Sequence, residues 1–391
     1  METNRPPVRA VTFGVAQPHP LSCHVLETVA SAARHAEFAY RDAGYQVQSC
    51  RVSTRPVFED LADWPNAKVV AYLKELDRIL TDLGLAAVSL GMANACDPDF
   101  PLDRLALIEE LLAASEAVNC AVQVASTAHG LRPDAAVAAA RIMQRLAGLN
   151  ADGTVNFRFA VLACVEPGVP FFPASYHRGP ASLSVGLQGA SMVARTGEAT
   201  VLEPASIVRE VRGALIQAAA PIARLADSIA GELGFRFGGI DLSPAPGGDD
   251  SIVAAMESYA AGPFGSVGTL AVAAAITEAL RTTGLLTCGY NGLMLPVLED
   301  PVLARLWAQG RVGPQHLLSY SAVCGTGLDT LPLPGDTPAE MIAALLLDVA
   351  TLAVRLGKPL SARLIPVIGK RAGEAVTFDL PYLLDTVLSA L

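Results

Sequence analysis

The first half of the chain alternates short apolar segments with longer amphipathic ones. Residues 9–16 (RAVTFGVA) alternate apolar and polar positions as a β-strand does, and residues 27–45 then space their apolar side chains as a helix does. The same order recurs along this half, with predicted strands at 45–54, 86–93 and 120–126 and predicted helices at 67–85, 103–118 and 131–149. This alternation predicts an α/β fold in which helices pack on a sheet.

The second half has more loops but continues the alternation. Its apolar patterns predict strands at 158–165, 182–189, 237–246 and 359–369, and helices at 204–235, 267–283 and 337–357. Pro221 is expected to bend or break the long helix. No Gly- or Ser-rich linker divides the chain, so we expect one large α/β domain over 1–391. Residues 1–154 form its βα-repeating half, and residues 155–391 form the loop-rich half.

Composition and charge exclude several classes of protein. The 391 residues are 52% hydrophobic and carry a net charge of −10, which disfavours nucleic acid and anionic membranes as partners. The apolar runs near Glu278 and Asp348 are too short to span a bilayer, and residues 1–15 lack the apolar core of a signal peptide. We therefore expect a cytoplasmic protein.

Motifs for cofactors are missing from the sequence. There is no GK[ST] motif for a nucleoside triphosphate and no GxGxxG after the first strand, so a dinucleotide is unsupported. The seven cysteines form no CxxC pair, which indicates reduced thiols, most of them small buried hydrophobic residues. His19, Cys23 and His24 lie close together, but they are better explained as a loop entering a helix that Ser22 caps. The sequence therefore identifies no cofactor, and a divalent metal remains an open alternative.

Five loops interrupt apolar structure with glycine, proline and reactive side chains, which is where catalytic residues tend to lie. His177 is a candidate general acid or base, Asp241 could orient it or bind a metal, and Cys288 lies in a glycine-rich turn whose N–H groups would lower the thiol pKa. Each has a structural alternative: a histidine bound to backbone, a turn cap and a buried thiol. The candidate substrate-binding residues are Tyr176, Arg178, Gly268, Thr269, Tyr290, Asn291, Cys324 and Asp329.

Several long stretches resemble a known family. They include FFPASYHRG, GGIDLSPAP, CGYNGLMLPVLEDP and SAVCGTGLDTLPLPGDTP, and together they run from about residue 155 to the end. In this order they resemble the UPF0210 group, also called DUF711. The resemblance implies an α/β barrel of about ten strands, similar to that of pyruvate formate-lyase, with an inward finger loop that carries Cys288.

The resemblance departs from glycyl radical enzymes near the C-terminus. Those enzymes carry a glycine in an Arg-Val-x-Gly-aromatic segment, whereas this chain has LIPVIGKRAGE, so a radical mechanism is not expected. We expect instead an enzyme that uses polar acid/base or thiol chemistry on an anionic, amino-acid-like or carboxylate metabolite in a barrel cavity. The alternatives are a metabolite-binding or regulatory protein and a structural component of an oligomer. A homo-oligomer, with a dimer as the expected form, fits all three.

Overall fold

A computed structural model describes residues 5–85, 87–195 and 203–391. The helices are α1 (Cys23–Asp42), α2 (Val57–Asp60), α3 (Asn66–Asp82), α4 (Leu107–Ala114), α5 (Pro133–Ala147), α6 (Pro204–Leu233), α7 (Ile252–Glu257), α8 (Thr269–Arg281), α9 (Pro301–Ala308), α10 (Pro314–Val323) and α11 (Ala339–Leu356). The strands are β1 (Val8–Gly14), β2 (Cys50–Ser53), β3 (Val88–Ala93), β4 (Val118–Ser126), β5 (Gly130–Leu131), β6 (Phe159–Ala163), β7 (Ser182–Gln188), β8 (Arg236–Ala245), β9 (Gly327–Pro334), β10 (Leu360–Val367), β11 (Ala375–Val376) and β12 (Thr386–Val387).

Ten of these strands form one mostly parallel sheet. Its order is β8-β7-β1-β2-β3-β4-β6-β10-β9, with β5 paired to β4, and strands β11 and β12 form a separate hairpin. Strands β1, β2, β3, β4 and β6 run parallel, whereas β7 and β10 pair antiparallel with β1 and β6. The predicted α/β class is confirmed, and strands from both halves of the chain share the sheet.

The two faces of the sheet are chemically different. In β7, Leu183, Val185 and Leu187 join the main hydrophobic core with side chains of the helices, while Ser184 and Gly186 alternate with them. Burial of each such Leu or Val side chain contributes about 1.5–3 kcal/mol, which holds the helices on this face. The opposite face packs against residues 165–176 and 287–297 and is called the loop face below.

Small polar side chains of the loop face bind the loop that covers it. The Thr12 hydroxyl donates a hydrogen bond of 2.8 Å to the Pro170 carbonyl, and the Ser89 hydroxyl donates one of 2.5 Å to the Ser175 carbonyl. Thr12 and Ser89 are both buried. A buried loop needs partners for its backbone polar groups, and these hydroxyls supply them to residues 165–176.

One further segment contacts both edge strands of the sheet. In residues 286–298, the Cys288 N–H donates to the Ile240 carbonyl of β8 at 3.2 Å, and the Val297 N–H donates to the Asp329 carbonyl of β9 at 3.0 Å. Hydrogen bonds between the named strands of the described chain do not themselves close the sheet. The segment therefore connects its two edges.

Helix boundaries bear out some predictions and correct others. Ser22 caps α1 as predicted, and Ser251 caps α7. The predicted break at Pro221 does not occur: α6 is one helix of 30 residues, because its buried side chains pack on both sides of the proline. Pro338 is the residue before α11, and no side chain of the described residues caps that helix.

None of the helices in the described ranges is both long and apolar enough to cross a membrane.

Gly186 provides a test of how the loop lies on the sheet. A Cβ added there would lie 2.6 Å from Cζ of Phe171, whose ring is buried. We expect Gly186→Ala to lower the free energy of unfolding by about 1–3 kcal/mol, because the ring must move out of a packed site. Urea unfolding measures the change.

Gly213 is the matched control, because it lies within α6 and a Cβ there would meet no atom within 4 Å. Gly213→Ala should raise the free energy of unfolding by up to about 1 kcal/mol through better helix propensity. Equal stability of the Gly186→Ala variant and the native protein would contradict the described packing.

Candidate functional site

Asp241 holds the tip of the 286–298 segment. Its Oδ2 accepts a 2.8 Å hydrogen bond from the Tyr290 N–H, and its Oδ1 accepts bonds from the Asn291 N–H at 3.2 Å and the Ser243 hydroxyl at 2.6 Å. The side chain is fully buried, and burial raises the pKa of the carboxyl group although these donors oppose the shift. Asp241 therefore has a clear structural role as the anchor of this turn.

The glycine and asparagine of the turn fit closely around that carboxylate. A Cβ at Gly289, where φ is +74°, would lie 2.2 Å from Oδ2 of Asp241, so only glycine fits there. Asn291 has a φ of +45°; its amide donates to the Cys288 carbonyl at 2.8 Å and accepts from the Leu242 N–H at 3.1 Å. The side chain of Tyr290 is buried on the loop face, in one hydrophobic cluster with Phe171 and Tyr176. Asp241, Cys288, Tyr290 and Asn291 are thus brought together.

The cysteine environments correct one expectation. Burial, followed by the neighbouring Asp241 charge, raises the pKa of the Cys288 thiol. Burial also raises the pKa of Cys324 to about 11, although Lys358 and backbone N–H groups oppose the shift. The expected lowering of the Cys288 pKa by glycine-rich backbone is therefore wrong, because desolvation of the thiolate outweighs the N–H dipoles.

His177 directly follows the 165–176 loop, and its ring forms hydrogen bonds with backbone carbonyls. Its Nε2 donates to the carbonyl of Pro180 at 3.0 Å, and burial lowers the pKa of the ring. The ring packs on Gly14, where a Cβ would lie 2.2 Å from Nδ1. Among the described contacts, no hydrogen bond joins His177 to Asp241 or Cys288. Catalytic roles for these three residues stay predictions.

The residues beside His177 have partners within the protein. The Tyr176 hydroxyl donates to the Val165 carbonyl at 2.9 Å, within the loop itself. Arg178 forms an ion pair with Glu59 at 2.6 Å near the surface. Both contacts give these side chains structural roles, and substrate binding by them stays a prediction.

Gly268 and Thr269 begin helix α8. Gly268 has a φ of +95° and precedes the helix, which explains a glycine at this position. The Thr269 hydroxyl is buried and accepts a 3.2 Å hydrogen bond from the Gly265 N–H. The Thr269 hydroxyl at the start of the helix therefore already has a hydrogen-bond partner within the protein. The predicted anion site there stays a prediction.

The residues of the predicted His19, Cys23 and His24 group have separate environments. Nδ1 of His19 lies 2.8 Å from the Tyr72 hydroxyl, and Nε2 lies 2.9 Å from the Thr54 hydroxyl. Cys23 is exposed. Across the described ranges, no group of three or more His, Cys, Asp or Glu side chains is placed to hold a metal ion.

A cavity of about 630 Å³ opens on the loop face at the end where β1 and β2 begin. Its walls include the guanidinium groups of Arg9, Arg51 and Arg363 and the carboxylates of Glu299 and Asp329. The volume is typical of a small-molecule site. Asp329 is the predicted site residue that lines this cavity.

Two carboxylates balance two of the arginines. Arg363 binds Oε1 of Glu299 at 2.8 Å and Oδ1 of Asp329 at 2.7 Å. Arg9 binds the second oxygen of Glu299 at 2.5 Å. Glu299 is only 4% exposed and is thus held between two guanidinium groups. This network fixes one wall of the cavity in a defined geometry.

Arg51 is the cation without a carboxylate partner in this wall. Its Nε donates to the Ser49 hydroxyl at 2.8 Å, and its guanidinium lies 5.3 Å from the centre of the Phe172 ring. Within the described chain it forms no ion pair. Burial, together with Arg9 and Arg363, lowers its pKa to about 10. An anion that enters the cavity would offset this unfavourable charge.

Sequence reasoning missed the arginines of this cavity. Arg9, Arg51 and Arg363 each interrupt a β-strand that is otherwise mostly apolar, at VRAV, CRVS and SARLI. A charged residue inside a buried strand is a usable signal, because it needs a partner or a ligand. Glu299 gave no such signal, because beside Asp300 it reads as part of a helix start.

Fold and cavity define the protein as an α/β protein with an arginine-lined cavity. The chain belongs to the family described as Uncharacterised ACR (DUF711), which it matches over residues 1–379. The resemblance stated from the sequence is thereby confirmed.

Individual relatives extend over most of the chain. A UPF0210 protein of Pyrobaculum arsenaticum is 33% identical over 372 residues, which are 90% of this chain and 80% of the relative. A UPF0210 protein of Pyrobaculum aerophilum is 32% identical, covering 85% and 76% of the two chains. One of Desulforudis audaxviator is 31% identical, covering 86% and 78%.

The thiol environments predict an order of chemical reactivity. With a thiol reagent at pH 7.5, we expect Cys23 to react quickly because it is exposed, and Cys288 to react slowly because its raised pKa keeps it protonated. Mass spectrometry of labelled peptides over time measures both. Cys23→Ser should remove the fast phase, whereas fast labelling of Cys288 would contradict its described environment.

His19 predicts a dependence of stability on pH. Burial lowers its folded pKa to about 4 from 6.5, so the unfolded chain binds the proton more tightly between these values. The free energy of unfolding should therefore rise by about 3 kcal/mol as pH increases from 4 to 6.5, and this contribution is complete above 6.5. Urea unfolding across this range should show a smaller rise for His19→Gln than for the native protein.

The exposed His316 is the matched control. His316→Gln should keep the full native rise. An unchanged rise in the His19→Gln variant would show that other groups cause it.

Proposed function

We propose that this protein binds a small anionic metabolite in the arginine-lined cavity. The observation that carries the proposal is Arg51, whose guanidinium lines the cavity without a carboxylate partner beside two fully paired arginines. A half-buried cation without a counter-ion is unfavourable, and a bound carboxylate relieves part of that cost. The defined cavity and its fixed polar wall give such a ligand a preorganised site.

Turnover of this ligand by polar acid/base chemistry is the enzyme form of the proposal. The raised pKa of Cys288 and Cys324 keeps both thiols protonated at neutral pH, which disfavours thiolate chemistry. Burial lowers the pKa of His177, but its ring packs on Gly14 at the end of β1, whereas the cavity opens at the beginning of that strand, so His177 does not supply the acid or base for this ligand. In this form, Asp241 and Cys288 act by holding the turn that leads to the cavity wall.

A binding or regulatory protein without turnover is the second candidate. One specific observation favours it: Glu299 and Asp329, the carboxylates of the ion-pair network, are both held by arginines. Both oxygens of Glu299 and one oxygen of Asp329 accept hydrogen bonds from guanidinium groups, so these carboxylates have a structural role in the wall. Product analysis of the incubated ligand by nuclear magnetic resonance separates the two forms.

The proposal also includes a closed barrel around the ligand. Residues 286–298 contact both edge strands, through Ile240 on one side and Asp329 on the other, which supports closure by this segment. The same segment carries Cys288 and, further along, Met294 of the cavity wall. An inward finger that joins the edges would account for both observations.

Removal of the Arg51 charge tests the proposed function. Arg51→Met keeps a long side chain but removes the cation, so we expect affinity for anions to fall at least about tenfold, the range for one charge-assisted hydrogen bond. A panel of small carboxylates and phosphates is first scanned by thermal shift on the native protein. Calorimetry then gives the dissociation constants of the anions that bind.

Arg41→Met is the matched control, because it removes an exposed arginine paired with Glu37 on helix α1. This variant should bind as the native protein does. The proposal fails if no anion of the panel binds, or if Arg51→Met binds with native affinity.

A further inference from the structure

The charges around the cavity nearly cancel. Four lining side chains are arginines (Arg9, Arg51, Arg158 and Arg363) and three are acids (Glu116, Glu299 and Asp329), which leaves one positive charge, four minus three. The ion-pair network holds Arg9 and Arg363, and Glu116 is the acid with the largest effect on the charge of Arg158. Arg51 forms no ion pair, so we assign the excess charge to it.

The remaining arginine is also engaged. Arg158 donates to backbone carbonyls, at 2.9 Å to Leu112 and at 3.2 Å to Val118. A second negative charge on a ligand would therefore have to draw Arg9 or Arg363 away from Glu299, or lie beside an existing carboxylate. Both arrangements cost interaction energy within a buried site. The cavity is balanced for one negative charge.

An apolar wall lies directly beside the free guanidinium. Phe171, Phe172 and Met294 line the cavity, and the Phe172 ring is the one that Arg51 covers. Phe171 is held against Gly186 of β7, so its position is defined by the sheet. A flat apolar group next to the Arg51 guanidinium would contact these rings while its acid group reaches the cation.

We propose that the site takes a monocarboxylate with a flat, apolar body, the carboxylate on Arg51 and the body against Phe171 and Phe172. This inference rests on the proposed function and names the ligand class for the same cavity. It distinguishes a carboxylic acid from a phosphate ester, which carries close to two charges above pH 7.

Four probes separate charge from shape. Benzoate has one charge and a ring, phenyl phosphate has about two charges and a ring at pH 8, acetate has the charge without the ring, and benzamide has the ring without the charge. Calorimetry at pH 8 on the native full-length protein gives each dissociation constant. We expect benzoate to bind at least about tenfold more tightly than each of the other three, a difference of about 1.4 kcal/mol.

Two variants locate the binding. Arg51→Met should weaken benzoate at least about tenfold and leave benzamide unchanged, since only the charged contact is lost. Phe172→Leu should weaken benzoate more than acetate, because only benzoate uses the ring. Circular dichroism and thermal unfolding of both variants verify that the fold is kept, and Arg51→Lys provides a second, charge-retaining variant that should recover part of the affinity.

The outcomes distinguish this inference from the proposed function. Tighter binding of phenyl phosphate than of benzoate would overturn the monocarboxylate inference and leave anion binding standing. Equal binding of acetate and benzoate would overturn only the claim that the ligand has a flat, apolar body. Failure of all three anions to bind would overturn this inference, and the proposed function falls with it if the wider carboxylate and phosphate panel also fails.

Discussion

The architecture depends on one constraint: chain that lies against the loop face must find partners there for its backbone polar groups. A buried N–H or carbonyl without a hydrogen bond costs about 1–3 kcal/mol. The sheet answers with polar side chains at alternate strand positions. Gln123 of β4, for example, accepts from the Val165 N–H at 3.1 Å. A loop face made only of apolar side chains would leave such backbone groups without hydrogen bonds.

The same constraint explains the chemistry of the candidate residues. The oxygens of Asp241 accept hydrogen bonds from the N–H groups of a turn, and Nε2 of His177 donates to a backbone carbonyl. Burial raises the pKa of Asp241 and lowers the pKa of His177, and both shifts favour the neutral form of the side chain. These two residues are of types common in active sites, but in this fold they hold loops in place. The unbalanced charge lies instead at Arg51, which lines the cavity.

Local patterns allowed much of the fold to be predicted from sequence. The α/β alternation, the cap at Ser22 and the glycine-rich turn at Gly289 depend on neighbours within a few residues, and these features could be found from the sequence alone. The unbroken helix at Pro221 could not, because packing on both sides of the proline outweighs the lost hydrogen bond. The thiol pKa of Cys288 was likewise a matter of burial, which no local pattern reports.

By itself the sequence determined the α/β class, the family resemblance and the loops that carry polar residues, because these follow from periodicity and from stretches of contiguous residues. Only the tertiary structure decided which charges meet. Arg9 and Glu299 are 290 residues apart in the chain, yet they form an ion pair at 2.5 Å. Charge balance in a cavity is a property of groups gathered from distant strands, and the surplus at Arg51 exists only once the sheet has brought those strands together.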